Sequence, residues 1–213
     1  MQHIPSERDG PFEFIAGSLA VDFTNTLSGT RERPGTEHVA RYADLVEFAR
    51  QGELIRAVDA KRLLAEAERH PQKATEMYRR AIALREAIWR AFDRIAQDRE
   101  PAPEDVAAIS AEAAQAFANA RVTRRGTSYG WDWPETDDLA RPLWPIARSA
   151  VDVLTSDAER ARLRECASDT CGWLFVDRTK NGSRRWCDMD DCGNRAKVRA
   201  YRERRARSAR KAR

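Results

Sequence analysis

Every cysteine of the chain lies between residues 166 and 192. Cys166 and Cys171 make one C-x4-C pair, Cys187 and Cys192 a second, and fifteen residues separate the pairs. Two short-spaced thiol pairs joined by a mid-length loop are the pattern of a tetrahedral four-sulfur zinc site. Each pair forms a knuckle whose thiolates reach a single ion at about 2.3 Å. Sulfur would fill all four positions, leaving none for a reacting water, so such a zinc is structural rather than catalytic. Four thiols have two competing uses. They can form two disulfides, or they can act as a redox sensor, which is compatible with zinc because oxidation ejects the metal. Residues 1–14 lack the basic and apolar regions of a secretory signal, so cytoplasmic residence and reduced thiols are expected.

Charge adds a second chemistry at the same end of the chain. The net formal charge is +4, but residues 156–213 hold 17 Lys and Arg against 9 Asp and Glu, and residues 1–155 hold 21 against 25. A basic module on a mildly acidic body points to a polyanionic partner for one end only. Arginine outnumbers lysine 33 to 5 along the whole chain, so arginine content alone carries no specificity. A helix is expected from about Cys192 to Arg205. Cys192 would then place its thiolate at a helix N-terminus, where the dipole favours negative charge. Arg195, Arg199 and Arg202 share one flank of that helix, and Lys197, Arg204 and Arg205 extend the basic surface. Val198 and Tyr201 are expected to pack against a hairpin, beside Trp173 or Trp186. Only Glu203 interrupts the positive residues from Arg195 to Arg213, so pairing within the helix cannot neutralise it. Phosphate contact is the reading these residues favour over a merely solvated helix. Arg184 and Arg185 would supply a second backbone clamp. Arg195 and Arg199 sit early enough to reach base edges in a major groove. Arg207, Arg210, Lys211 and Arg213 would touch phosphates only.

The elements that position these groups follow from periodicity. Trp173, Phe175 and Asp177 alternate with Leu174 and Val176 as a strand, Asn181-Gly182 marks a tight turn, and Arg184–Trp186 can return as a second strand. The expected order is knuckle, hairpin, knuckle, helix. Upstream, Phe12, Phe14 and Ala16 alternate as in a strand that Gly17 ends, and Ser18 can cap a short helix. Residues 28–36 read as a polar loop, and a helix is expected over residues 37–51, stopped by Gly52. Residues 54–98 are helical almost throughout, with Pro71 opening a new helix. Met77, Ala81, Leu84, Ile88, Phe92 and Ile95 form one apolar stripe, suited to a bundle core or a dimer interface. A helix over residues 105–119, a hairpin around Gly126 with Trp131 and Trp133 on one face, and a helix over residues 138–155 complete the body. Asp22 and Asn25 would cap backbone groups near a helix end or, with Trp131, line a small-molecule pocket. The expected class is α+β, mainly α, with a small antiparallel sheet.

No catalytic constellation emerges. His3, His38 and His70 have no partner pattern, and there is no phosphate-binding glycine motif or nucleophile elbow. No run of eighteen apolar residues exists, so no membrane partner is expected.

The segment CGWLFVDRTKNGSRRWCDMDDCGNRAKVRAYRERR closely resembles the CGNR-type zinc finger of bacteria, with Cys192-Gly193-Asn194-Arg195 as the tetrapeptide. The segment SLAVDFTNTL is similar to the ABATE domain that commonly precedes this finger, through Leu19, Asp22, Asn25 and Thr26. Together the two cover nearly the whole chain. The resemblance implies Cys166, Cys171, Cys187 and Cys192 as ligands of one structural Zn²⁺, a treble-clef-like finger, and a role among stress-induced transcription regulators. The organisation expected is an ABATE-like domain over 1–155, a connector over 156–165, the finger over 166–206 and a basic tail over 207–213. On this reading the protein is a cytoplasmic, non-enzymatic regulator that binds DNA through the finger. Its larger domain would sense an effector or form a homodimer. RNA binding, or a small-molecule-binding domain with an accessory finger, are the alternatives.

Overall fold

The computed structural model describes residues 10–211. Its helices are α1 (Leu19–Thr24), α2 (Tyr42–Gln51), α3 (Ala57–Arg69), α4 (Pro71–Ala96), α5 (Pro103–Ala118), α6 (Leu143–Thr155), α7 (Asp157–Arg160) and α8 (Asn194–Lys211). Three antiparallel pairs accompany them. They are β1 (Leu27–Gly29) with β2 (Pro34–Glu37), β3 (Arg121–Arg125) with β4 (Ser128–Asp132), and β5 (Leu163–Glu165) with β6 (Leu174–Val176). The chain is mainly helical with small antiparallel sheets, as its periodicities predict.

Helix α4 carries the stripe the sequence shows. Ala81, Leu84, Ile88 and Phe92 are buried, Met77 and Ile95 pack at the margin, and Pro71 sits in the first turn. This face meets α1, α2 and α5, so it is spent on the core of one chain. Helix α1 is almost wholly enclosed, with Ala20, Val21 and Phe23 each buried between α4 and α6. Phe23 shares an aromatic cluster with Phe12, Phe14 and Phe48, whose rings lie 5.0 to 5.3 Å from Phe48. Phe12, Phe14 and Ala16 point inward by alternation, yet residues 12–16 belong to no ladder. Phe12 is instead held by Gln51, which takes its N–H and donates to its carbonyl.

Several boundaries differ from expectation for local reasons. Residues 28–36 form most of the β1–β2 hairpin rather than a loop, because Gly29 (φ +75°) supplies the left-handed residue that lets the pair close. Helix α2 starts at Tyr42, not 37, because Asp44 takes the backbone N–H groups of Ala40 and Arg41 and fixes the N-terminus there. Ser18 precedes α1 but makes no side-chain cap, and its hydroxyl pairs with Ser149 at 3.2 Å. The hairpin around Gly126 forms as expected. Trp133 is buried with Nε1 donating to the Ala116 carbonyl, and Trp131 lies edge-on to Phe117.

The β1–β2 hairpin is fixed to α4 by a buried arginine. Arg85, fully enclosed, holds Glu37 through two bonds of 2.7 Å and also reaches Thr26 and Glu86. Beside it Arg31 binds Glu86 and lies over the Trp89 ring at 4.6 Å. This corner receives the first cysteine knuckle.

Candidate metal centre and nucleic-acid interface

The two knuckles come together through a pairing the spacing did not indicate. Strand β6 pairs with β5, in register Leu163 with Val176, and not with residues 184–186. The first knuckle is therefore the loop of the β5–β6 hairpin, with the Cys166 N–H donating to the Trp173 carbonyl at 2.8 Å. Residues 163–165, expected in a connector, are part of this module. The reason residues 184–186 make no ladder is Asp177. Its buried carboxylate takes the N–H groups of Thr179 and Arg184 and the Thr179 hydroxyl, closing the Asn181-Gly182 turn on a side chain. Those bonds hold the Asp177 carboxyl below the usual range despite its burial. The segment still reaches the first knuckle, because the Ala167 N–H donates to the Arg185 carbonyl at 2.9 Å.

The second knuckle ends in a π-helical turn, Met189–Gly193, that runs directly into α8. Asp188 caps the turn by accepting the Asp190 N–H. A Cβ at Gly193 would lie 2.7 Å from the Met189 sulfur, so a larger residue there would displace that flexible side chain. All four cysteines are buried and unbridged, and their sulfurs lie within 4.8 Å of one another. Cys187 Sγ is 3.5 Å from Cys171 Sγ and 3.6 Å from Cys192 Sγ. The edge of a ZnS₄ tetrahedron with about 2.3 Å bonds is about 3.8 Å, so the donor set fits zinc in number, type and spacing.

The electrostatics point the same way. Hydrogen bonds from Cys171 and Cys187 pull the Cys166 thiol down to about 2, while contact with Cys166 pushes Cys171 up. Contacts with Cys166 and Cys171, followed by burial, push Cys187 up as well. Thiolates gathered this closely need positive charge beside them. Arg195 supplies part of that charge. Its Nη2 donates to Cys192 Sγ at 3.0 Å while the same guanidinium pairs with Asp191. The bond to Cys192 is the largest cause raising the Arg195 pKa.

The basic residues divide into two groups. Arg184 is turned inward. It donates to the carbonyls of Ile15, Trp186 and Cys187 and lies 4.5 Å from the Phe175 ring centre, so its donors clamp the module to the body rather than face solvent. Arg195 and Arg199 are half-exposed but already paired, the latter with Asp169 at 2.9 Å. The acidic partners missing within the helix come from the knuckles. Among the described residues no carboxylate pairs with Lys197, Arg202, Arg204 or Arg205, and all four side chains are exposed. Arg185 is exposed over Trp186. Val198 and Tyr201 are 48% and 54% exposed rather than packed on a hairpin, and the indole of Trp173 donates to the Leu27 carbonyl. Helix α8 continues to Lys211, through most of the stretch expected as a tail, and Arg213 lies outside the described residues.

Asp22 and Asn25 are buried side chains, Trp131 on the β3–β4 hairpin lies against Phe117, and none of the three lines a cleft among the described residues. Asn25 is buried and pairs with the Leu174 backbone through both amide atoms, accepting at 3.1 Å and donating at 2.9 Å. It thus serves strand β6 much as a neighbouring strand would. The module is further held by Val176 N–H to the Ala16 carbonyl, Trp89 Nε1 to the Gly172 carbonyl, and Arg178 to Gly17 and Glu159. Gly172 (φ +67°) has no room for a side chain, since a Cβ would stand 2.9 Å from Thr30 Cα. This docking set was missed from the sequence. The available signal was the pair Trp89 and Trp173, whose indole N–H groups need carbonyl partners when buried. Replacing Asn25 by Ala strands a buried N–H and C=O of β6 and should cost about 2–4 kcal/mol in chemical unfolding. A loss under about 0.5 kcal/mol would mean the pair does not hold the module.

Asp22 accepts the Ala16 N–H at 2.7 Å, and burial pushes its carboxyl up to about 7. Below about pH 4 folded and unfolded chains are both protonated there. Between about 4 and 7 the unfolded chain has lost the proton and the native chain keeps it, so stability falls as pH rises, then levels off. Asp22→Asn should flatten that window in urea titrations at stepped pH. An unchanged profile would relieve Asp22 of this role.

Two family models match. Residues 162–205 match the CGNR zinc finger, and residues 17–157 match ABATE, whose description reads "Putative stress-induced transcription regulator". No curated protein matches the chain.

Proposed function

The chain belongs to the ABATE family and carries a C-terminal CGNR zinc finger, and from that premise we propose that it is a zinc-dependent, DNA-binding transcription regulator of the stress response. One structural Zn²⁺ would be held by Cys166, Cys171, Cys187 and Cys192, and it would supply the positive charge the thiol cluster is short of. The residues would do the rest. Cys192 fixes the start of α8, Arg195 offsets the sulfur charge, and Lys197, Arg202, Arg204 and Arg205 face phosphates.

The observation that carries this reading is the unpaired basic surface of α8, rooted directly on the fourth cysteine. A helix with four exposed, uncompensated cations beside a rigid anchor suits a polyanion better than a protein core. Arg195 and Arg199 would reach base edges only by releasing Asp191 and Asp169, which makes both candidates for specificity that is engaged on binding. The N-terminal domain would sense an effector or dimerise, and the protein would act as a non-enzymatic bacterial regulator in the cytoplasm. No described helix is long and apolar enough to cross a membrane.

The test is binding of the full-length chain to random duplex DNA across a salt series, with structured RNA as competitor. The reading expects duplex binding that weakens steeply with salt and resists RNA competition. Absence of binding at low salt removes it, and preferential displacement by RNA transfers the surface to the other nucleic acid.

A further inference from the structure

A cleft of about 600 Å³, lined by none of the cysteines, opens between the α2–α3 turn, the start of α3 and the segment leaving β4. That volume suits a small organic ligand. Five arginines line it: Arg50, Arg56, Arg62, Arg121 and Arg141. Four of them hold carboxylates. Arg50 holds Glu47, Arg121 holds Asp132, and Arg56 and Arg62 hold Asp59 and reach across to Glu135.

Arg141 is different. Among the described residues no carboxylate pairs with it, and Nη2 is left with the Leu54 and Trp133 carbonyls at 3.2 and 3.5 Å. Its Nη1 is buried with no hydrogen-bond partner. The guanidinium lies 5.8 Å from the centre of the Trp133 ring, and burial lowers its pKa because the charged form is under-compensated. Arg141 is half-buried, and a guanidinium with no carboxylate and one unsatisfied nitrogen leaves a desolvation cost that an anionic ligand would relieve. Glu53, which closes the C-terminus of α2 in the left-handed region at φ +56°, also lines the cleft. Leu54, Ile55, Pro134 and the Trp133 ring give the remaining wall an apolar character.

We propose that this cleft binds a small carboxylate with an aromatic or apolar body, its carboxylate on Arg141 and its body against Trp133. The ion pairs to Glu135 span the cleft beside it and give a ligand something to rearrange. The inference rests on the sensing part of the function proposed above and not on DNA binding, so failure of the finger to bind nucleic acid leaves it standing.

The test is calorimetry on the full chain with benzoate and indole-3-acetate, against neutral benzamide and inorganic phosphate. One of the two carboxylates should bind saturably, at least tenfold tighter than benzamide or phosphate. Arg141→Gln should weaken that binding at least tenfold. Should that variant fail to fold, Ala57→Phe fills the cleft from an exposed position in the first turn of α3 and should block binding alone. The proposal is overturned if neither carboxylate binds, if phosphate or benzamide binds as tightly, or if Ala57→Phe leaves binding unchanged.

Discussion

Removing the metal from the full-length protein should unfold residues 163–205 and loosen α1 with them, while α4 to α6 keep their protection. The size of the effect follows from the cluster. Four buried sulfurs lie within 4.8 Å of one another, and thiolates this close repel unless they share a cation. Structural zinc sites of this kind contribute about 10–16 kcal/mol of apparent binding free energy at neutral pH, more than a module of this size holds in its own core. The damage does not stop at the knuckles. Leu163, Leu174, Phe175 and Val176 are buried in the common core, and Asn25 and Ala16 lend their polar groups to β6. A finger behaving as a separate bead, as the linear order suggests, would leave the body untouched. Hydrogen exchange before and after chelation distinguishes the two. Protection in β6 and α8 should fall by at least a thousandfold, α1 should follow, and Cys192→Ser should reproduce the pattern. Unchanged β6 and α8 after verified zinc release would show that the fold does not depend on the ion.

How far this could be read from the chain depends on the distance over which each residue acts. The α4 stripe, Pro71 at a helix start and the hairpin around Gly126 are local patterns, and all stand where periodicity puts them. The cysteines were legible because thiol spacing is dictated by the ion and not by the rest of the fold. What misled was the choice of partner. A strand at 174–176 with a turn at Asn181-Gly182 has a nearby candidate in residues 184–186, but Asp177 satisfies the Arg184 N–H and the strand pairs backward with residues 163–165. Arg184 looked like a phosphate contact by type, and only the fold brings the Ile15 carbonyl to it from 169 residues away. The acidic partners of Arg195 and Arg199 were visible as Asp191 and Asp169, yet nothing in the spacing says that a knuckle folds beside the helix.

Neutralising Lys197, Arg202, Arg204 and Arg205 together should nearly abolish nucleic-acid binding without disturbing the fold. These four are exposed, make no ion pair among the described residues, and lie on a helix for which alanine is a good former, so the substitutions cost little locally. Each phosphate contact with duplex DNA contributes about 0.9 to the slope of log affinity against log salt, so four losses should flatten that slope by about 3–4. At low salt the loss should be about a hundredfold or more. Arg195→Ala is a poorer probe, because Arg195 also donates to Cys192 Sγ and its removal perturbs the metal centre. Arg199→Ala separates the roles, since it releases Asp169 and leaves the sulfurs alone. If α8 lies in a major groove, that single change should reduce discrimination between sequences more than it reduces affinity for random DNA. If the fourfold variant keeps the wild-type slope while zinc stays bound, the basic face of α8 is solvated surface, and the nucleic-acid reading of this helix fails.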